Sequence, residues 1–290
     1  INGGFDIWQR GISFTGATTE FTADRWQVSS GVGSTSTFDQ LILTALASGS
    51  VGGCKNALTW NKTVGGTGAG WINQRMEDVT TTAGETITLS LYMRVVSGGP
   101  VDLEANFFQD YGVGGSGNSS QIVSLGTVST DAWTRFTVTV DMNSITAETL
   151  GTGSLWGVYI SPVDAAQTFD LEFTGIKTEF GATATPFTRA GNNIAGELAM
   201  CQRYFWQGTP QFNDFYYGTA GLTAMTGGKF SFPATMRAAP SMALVTAGSE
   251  SGCTFEGVFG NIDSLSVRVT VDVTGRYRYT EGEYSADAEL

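Results

Sequence analysis

Histidine is missing altogether from this chain of 290 residues. Its absence excludes every Ser-His-Asp triad and Cys-His dyad, and with them the common zinc sites built on imidazole. Cysteine is nearly as scarce. Cys54, Cys201 and Cys253 are widely spaced, odd in number and form no C-x-x-C. Neither a disulfide framework nor a metal knuckle is expected from them, and they read as three buried, small apolar side chains. Charge is thin at 14 % of residues and one-sided, with 15 Lys and Arg against 27 Asp and Glu and a formal net charge of -12. So few cations cannot displace counterions from phosphates, which argues against nucleic acid as a partner and against an anionic membrane surface. No apolar run approaches the length of a membrane span, so membrane insertion is not expected. No basic start followed by an apolar core marks a signal peptide. The chain opens on Ile rather than Met, as a processed chain or part of a longer one does.

What the chain has in quantity is glycine, 39 residues of it, with many Ser and Thr. Stiff strands joined by tight turns have this composition, and the fold class it predicts is all-β. Thr86–Val95 (TITLSLYMRV), Thr134–Val140 (TRFTVTV) and Ser266–Val273 (SVRVTVDV) alternate apolar and polar residues at period two, the pattern of half-buried strands. Turn clusters separate such runs at Val64–Gly70, Ser97–Pro100 and Gly112–Ser120. Helix signals are few: Phe38–Ser48 is ambiguous, and Glu197–Cys201 (ELAMC) reads as a short helix. A linker-like AGNNIAG follows the strand at Thr168–Thr174 and the phrase IKTEFGATATPFTRA. It divides the chain into residues 1–189 and 190–290, the second piece being long enough for a small β-sandwich. There is no repeat of solenoid period.

Several phrases carry a resemblance. NGGFDIWQRGISFTG (Asn2–Gly16) is answered by FTADRW (Phe21–Trp26), and the pair is similar to the β-sandwich modules at the C-terminal ends of bacteriophage fibre proteins. INQRMEDVTTTAGETITLSLYMRV (Ile72–Val95) and GIKTEFGATATPFTR (Gly175–Arg189) resemble a jelly-roll carbohydrate-binding module. In the latter, Glu179, Gly181, Ala184, Thr185, Pro186 and Phe187 match its closing phrase. ELAMCQRYFW (Glu197–Trp206), FPATMRAAPSMAL (Phe232–Leu244) and the ending YSADAEL (Tyr284–Leu290) resemble the terminal domain found behind that module in phage fibres. The last of these implies that the chain ends where the family's chains end. The resemblance implies a jelly-roll β-sandwich followed by a second, smaller β-sandwich. The first would be of carbohydrate-binding type, and the second a fibre tip or trimerisation domain. It further implies a virion component, a homotrimer among other virion proteins, with a host cell-surface polysaccharide as partner. Tail fibre and head fibre stay undivided, since both use these modules.

The phrases also have a physical reading. Trp8 and Trp26 are expected to pack as core aromatics, and Asp24 with Arg25 to form a structural pair or cap a turn. Pro240 belongs at a strand start or edge. Arg203 and Arg237 are expected to pair with carboxylates across a domain or subunit contact.

A neutral ligand such as a sugar is read by aromatic faces against C–H faces, with amides and carboxylates on its hydroxyls. Alternation sends Phe107 and Gln109 one way and Phe108 and Asp110 the other. Trp60, Trp71, Tyr111 and Trp156 are assigned to a sugar-binding face, with Asn106, Gln109 and Asp110 as polar neighbours. The alternative for each is a place in the core or in a trimer interface. In the second piece, WQGTPQFNDFYYG (Trp206–Gly218) reads as an aromatic loop. Phe212, Phe215, Tyr216 and Tyr217 at its tip are candidates for receptor contact or for packing on a neighbouring chain.

Many jelly-roll modules hold a calcium ion between the first and last strands. The resemblance would draw its oxygens from Asn2, Asp6, Asp170, Glu172 and Glu179, although Gly175 replaces a carboxylate usual before the final strand's apolar residue. No cofactor is required otherwise. Glycosidic cleavage needs two carboxylates and no histidine, and Glu77, Glu104 and Asp110 are available, but no spacing pairs them. The function expected is therefore non-enzymatic attachment of a virion fibre to a bacterial surface glycan. Its rivals are a purely structural capsid or tail decoration and a polysaccharide depolymerase.

Overall fold

A computed structural model describes residues 1–16, 18–129, 131–210, 216–280 and 282–290. They form two compact units, residues 1–194 with Leu290, and residues 195–289.

The first unit contains β1 (Ser13–Thr15), β2 (Glu20–Phe21), β3 (Gln27–Ser29), β4 (Thr35–Ile42), α1 (Ala45–Ser50), β5 (Asn56–Val64), β6 (Trp71–Glu77), β7 (Thr86–Ser97), β8 (Val101–Asp110), β9 (Ser119–Val128), β10 (Thr134–Asp141), β11 (Leu155–Pro162) and β12 (Phe169–Phe180). Two six-stranded antiparallel sheets result, ordered β1-β4-β5-β12-β7-β10 and β2-β3-β6-β11-β8-β9. From β5 onward the chain changes sheet at every step except the β8–β9 hairpin. This is a jelly-roll β-sandwich.

Alternation builds its core. In β7 the inward Ile87, Leu89, Leu91, Met93 and Val95 are buried. They meet Val101, Leu103, Ala105 and Phe107 of β8 and Val158 and Ile160 of β11 in one cluster. At the centre, the Trp60 ring lies 5.4 Å from Phe38, 5.2 Å from Phe169 and 6.4 Å from Phe173. The ambiguous stretch from Phe38 resolves into the end of β4 and the short α1, which Thr44 caps by accepting from the Ala47 N–H.

The two N-terminal phrases are tied together by one amide. The Asn2 side chain donates to the carbonyls of Ile7 (2.9 Å) and Asp24 (3.0 Å) and accepts from the N–H groups of Asp6 and Ile7. The Trp26 indole donates to the Asn2 carbonyl at 3.0 Å. Gly3 beside it admits no side chain, since a Cβ would lie 1.9 Å from the Ile176 carbonyl oxygen. Asp24 accepts from the Gln9 backbone N–H at 3.0 Å, and Arg25, at φ 71°, donates to the Arg75 carbonyl. These phrases are scaffold.

The closing phrase is a strap on the outer side of the first sheet. Glu179 accepts from the Thr185 N–H (2.8 Å) and hydroxyl (2.6 Å), and Arg135 donates to the Thr185 carbonyl. Phe187 packs with Leu43, Val51, Cys54 and Ala57. Arg189 places Nε and Nη2 each 2.8 Å from Asp6 Oδ2.

The second unit is a smaller β-sandwich. After α2 (Ile194–Gln202) come β13 (Phe205–Gly208), β14 (Tyr216–Gly218), β15 (Thr223–Ser231), β16 (Ser241–Thr246), β17 (Ser249–Ser251), β18 (Cys253–Gly260), β19 (Ser264–Val271), β20 (Gly275–Thr280) and β21 (Glu283–Asp287). Three three-stranded sheets, β13-β21-β16, β14-β20-β17 and β15-β19-β18, are present. Trp206, Met236, Val267, Val269, Tyr279 and Tyr284 are among its core residues. Pro240 immediately precedes β16, where its missing N–H costs no ladder bond. Arg237 does not pair with a carboxylate side chain as expected. It donates to the backbone carbonyls of Ala288 (2.9 Å) and Glu289 (3.1 Å), just beyond β21. Cys54, Cys201 and Cys253 are all buried, and none of them is in a disulfide among the described residues.

Candidate functional site

The second sheet of the jelly roll has one face in the core and one turned away from it. Parity decides which residues go where. Ile72, Phe107, Val158 and Ile160 are buried inward, so Trp71, Asn73 and Arg75 of β6, Gly157, Tyr159 and Ser161 of β11, and Glu104, Asn106, Phe108 and Asp110 of β8 point outward. Strand register sets them in rows. Asn73, Tyr159 and Asn106 lie side by side, and so do Arg75, Gly157, Phe108 and Ser120.

Three half-buried rings make a diagonal ridge across this face. Trp71 meets Tyr159 edge-on with centroids 5.1 Å apart, and Phe108 meets Tyr159 at 4.9 Å with the planes at 45°. Arg75 Nη2 donates to the Tyr159 hydroxyl at 3.2 Å, which fixes the central ring. Polar groups flank the ridge throughout. The Asn73 amide donates to Gln27 Oε1 (3.5 Å), and Ser161 donates to Glu104 Oε1 (3.4 Å). Asn73 Oδ1, Asn106 Oδ1 and Arg75 Nε have no hydrogen-bond partner among the described residues. Buried polar atoms without partners are uncommon in folded proteins, and three of them surround one tyrosine here. Beside Tyr159 lies a recess of about 280 Å³ lined by Arg75, Phe108, Asp110, Asn118, Ser119, Ser120 and Tyr159. Rings for C–H faces, with amides, hydroxyls and a carboxylate for directed hydrogen bonds, form a surface suited to a polyhydroxylated ligand.

Of the residues assigned to a sugar-binding face, Trp71, Asn106 and Asp110 lie on this one. The other four do not. Trp60 belongs to the first sheet and is 0 % exposed, its indole N–H donating to Ser36 Oγ at 3.0 Å. Gln109 and Tyr111 share the inward parity of Phe107. Gln109 donates to the Asn143 carbonyl, and the Tyr111 hydroxyl lies 3.0 Å from Ser119 Oγ. Trp156 points inward with Val158 and is part of the core. Tyr159, Phe108, Asn73 and Arg75 were not assigned. Alternation from the buried Phe107 puts Phe108 outward, but Tyr159, Asn73 and Arg75 join that face only through the strand register, which the sequence does not print.

Phe212 and Phe215 lie outside the described residues. Tyr216 and Tyr217 are not loop residues: their backbone forms β14, opposite Tyr277 and Arg276 of β20.

The calcium ligands implied by resemblance do not converge. Asp170 and Glu179 stand at opposite ends of β12, nine positions and about 30 Å apart at strand rise. Asp6 is occupied by Arg189 and by the Asn56 amide at 3.0 Å, and the Asn2 side-chain Oδ1 accepts two backbone N–H groups. Among the described residues no group of three or more His, Cys, Asp or Glu could hold a metal. The donor set does not fit the ion. The two end carboxylates also differ in character. Burial, then the neighbouring Glu172, pushes the Asp170 carboxyl up. Burial works on Glu179 in the same direction, but hydrogen bonds from Thr185 and Lys177 outweigh it and hold that carboxyl below its ordinary value.

No protein-family model matches the chain, and no curated protein matches it. Solved structures show distant likeness. The CBM22-1 xylan-binding domain of Paenibacillus barcinonensis Xyn10C matches with 15 % identity and a TM-score of 0.36 over 59 % of this chain and 95 % of that domain. A CBM61 module in complex with β-1,4-galactotriose matches with 12 % identity and a TM-score of 0.32, covering 54 % and 88 %. The enzymatically active domain of bacteriophage CBA120 tailspike protein 4 matches with 9 % identity and a TM-score of 0.38, covering 57 % of this chain and 21 % of that one. Likenesses this distant carry no argument about what the chain binds.

Proposed function

We propose that this chain is a non-enzymatic virion fibre component that attaches to a bacterial surface glycan through the outward face of β6, β11 and β8. The observation that carries the binding part is the ridge Trp71–Tyr159–Phe108, three rings left half-exposed in a field of amides, hydroxyls and a carboxylate. The phrases shared with phage fibre proteins support the virion part, and residues 190–290 would then serve as fibre tip or trimerisation domain. Single sites of this open kind bind weakly, and a fibre presenting several copies gains by multivalency.

The test is binding of the purified chain to a panel of host-surface polysaccharides. Trp71→Ala and Tyr159→Ala are expected to weaken binding about tenfold or more, while each folds normally because the side chains lie outside the core. Undiminished binding by both variants, or none by the parent chain at high multivalent concentration, would overturn the reading in favour of a structural decoration.

Hydrolysis is the rival with a geometric foothold. Glu104 and Asp110 are about 20 Å apart along β8, too far for a catalytic pair. Glu77 and Asp110, however, both pair with Leu155 and so lie two strand spacings, about 10 Å, apart. That is near the ~6.5–9.5 Å of inverting glycosidases. Glu77 does not line the recess, and the binding reading expects no release of reducing ends from host polysaccharide. Release by the parent chain that Asp110→Asn abolishes would replace it.

A further inference from the structure

We infer that the recess between Tyr159 and Asp110 is a slot for one uncharged sugar ring and selects which glycan the face accepts; this rests on the glycan-binding reading above. Gly157 seats one wall of the slot, the Phe108 ring. It lies in the middle of β11, opposite both Arg75 and Phe108. A Cβ there would sit 2.5 Å from Phe108 Cε1 and 2.6 Å from the Gln74 carbonyl oxygen. Without a side chain at 157, the Phe108 ring leans over β11, and the next outward residue, Tyr159, stands beside it as a wall. Any other residue would push the Phe108 ring aside and so displace a wall of the recess.

Size and charge then define the occupant. The volume of about 280 Å³ falls just under the ~300–1,000 Å³ of ordinary small-molecule sites, which suits one ring and not a run of them. Arg75 supplies donors. Asp110 supplies acceptors, and the Gly112 N–H holds one of its oxygens in place at 2.9 Å. A donor and an acceptor facing one recess match the adjacent hydroxyls of a neutral sugar. A uronate set on Arg75 would still share the recess with Asp110, and an amino sugar set on Asp110 would still share it with Arg75. Each would leave a desolvated charge beside its like. Asn118, Ser119 and Ser120 complete the rim with neutral hydrogen-bonding groups.

Calorimetric titration of the full chain with hexasaccharides of glucose, xylose, galacturonic acid and glucosamine tests this. The neutral oligosaccharides are expected to bind most tightly. Phe108→Ala and Asp110→Asn, both outward substitutions, should weaken that binding about tenfold. Gly157→Ala should do the same, and the other two variants keep the test open if it fails to fold. Full affinity in Phe108→Ala and Asp110→Asn, while Trp71→Ala loses binding, would overturn the slot and leave the face standing. Tighter binding of either charged hexasaccharide would overturn its neutrality. Binding of none would overturn the face and the slot together.

Discussion

Trp60 packs edge-on against Phe169 and beside Phe38 and Phe173, and its one polar atom is bonded to Ser36. Truncation would open a void that three fixed rings cannot close. Trp60→Ala is expected to cost about 3–5 kcal/mol of stability, measured by urea denaturation. Tyr159→Ala, on the outward face, should cost far less. The contrast shows what the sequence revealed and what it hid at this scale. Aromatic residues on strands were plain to see. Alternation tells which residues share a face, but by itself it does not tell which face is covered. Gln109 and Asp110 are adjacent in sequence and so cannot lie on one face, yet both are plausible sugar contacts by residue type. Only the packing of Phe107 against the other sheet fixes the sign, and with it Phe108, Tyr159 and Arg75.

Elements were easier to read than faces. Thr86–Val95, Thr134–Val140 and Ser266–Val273 fall within or across β7, β10 and β19 because one side of each is buried and period two is strict there. The helix around Glu197–Cys201 extends to Ile194–Gln202. The short strands β1 to β3 gave no periodic signal, being only two or three residues long. The closing phrase was recognisable as words but not as a strap, because its work is done by long-range bonds such as Arg189 to Asp6. Its acid response is predictable. Glu179 has a folded value below the ordinary 4.5, so its bonds to Thr185 stabilise the fold above that pH and are lost as pH falls through the folded value. Glu179→Gln should therefore flatten the fall in melting temperature between about pH 5.5 and about pH 3. An unchanged slope would remove this carboxylate from the acid response.

At the scale of the whole molecule, the change of composition around residues 189–196 marks a place where a chain can pass between separately packed cores; the described residues form two compact units, 1–194 with Leu290 and 195–289. Charge and the missing histidine narrowed the chemistry, but no sequence pattern names a partner chain, since contact residues look like any apolar surface. The proposed fibre role makes a definite statement here: the chain should sediment as a trimer, and residues 195–289 alone should retain that state. A monomer at high micromolar concentration would count against the fibre role while leaving the outward face untouched.

The rows on β6, β11 and β8 have a consequence for how such a protein can change. On these three strands the contacts assigned to the ligand occupy one phase of a two-residue alternation, and the interior residues occupy the other. On the proposed glycan-binding reading, selection on ligand choice and selection on folding act on different letters of the same strands. Outward positions such as Asn73, Asn106 and Phe108 can then be exchanged one at a time to alter what the face accepts, while Ile72, Ala105 and Phe107 stay as they are. Gly157 is where the two histories meet: it faces outward, yet the Gln74 carbonyl behind it forbids a side chain, so new specificities should arise around it and not through it.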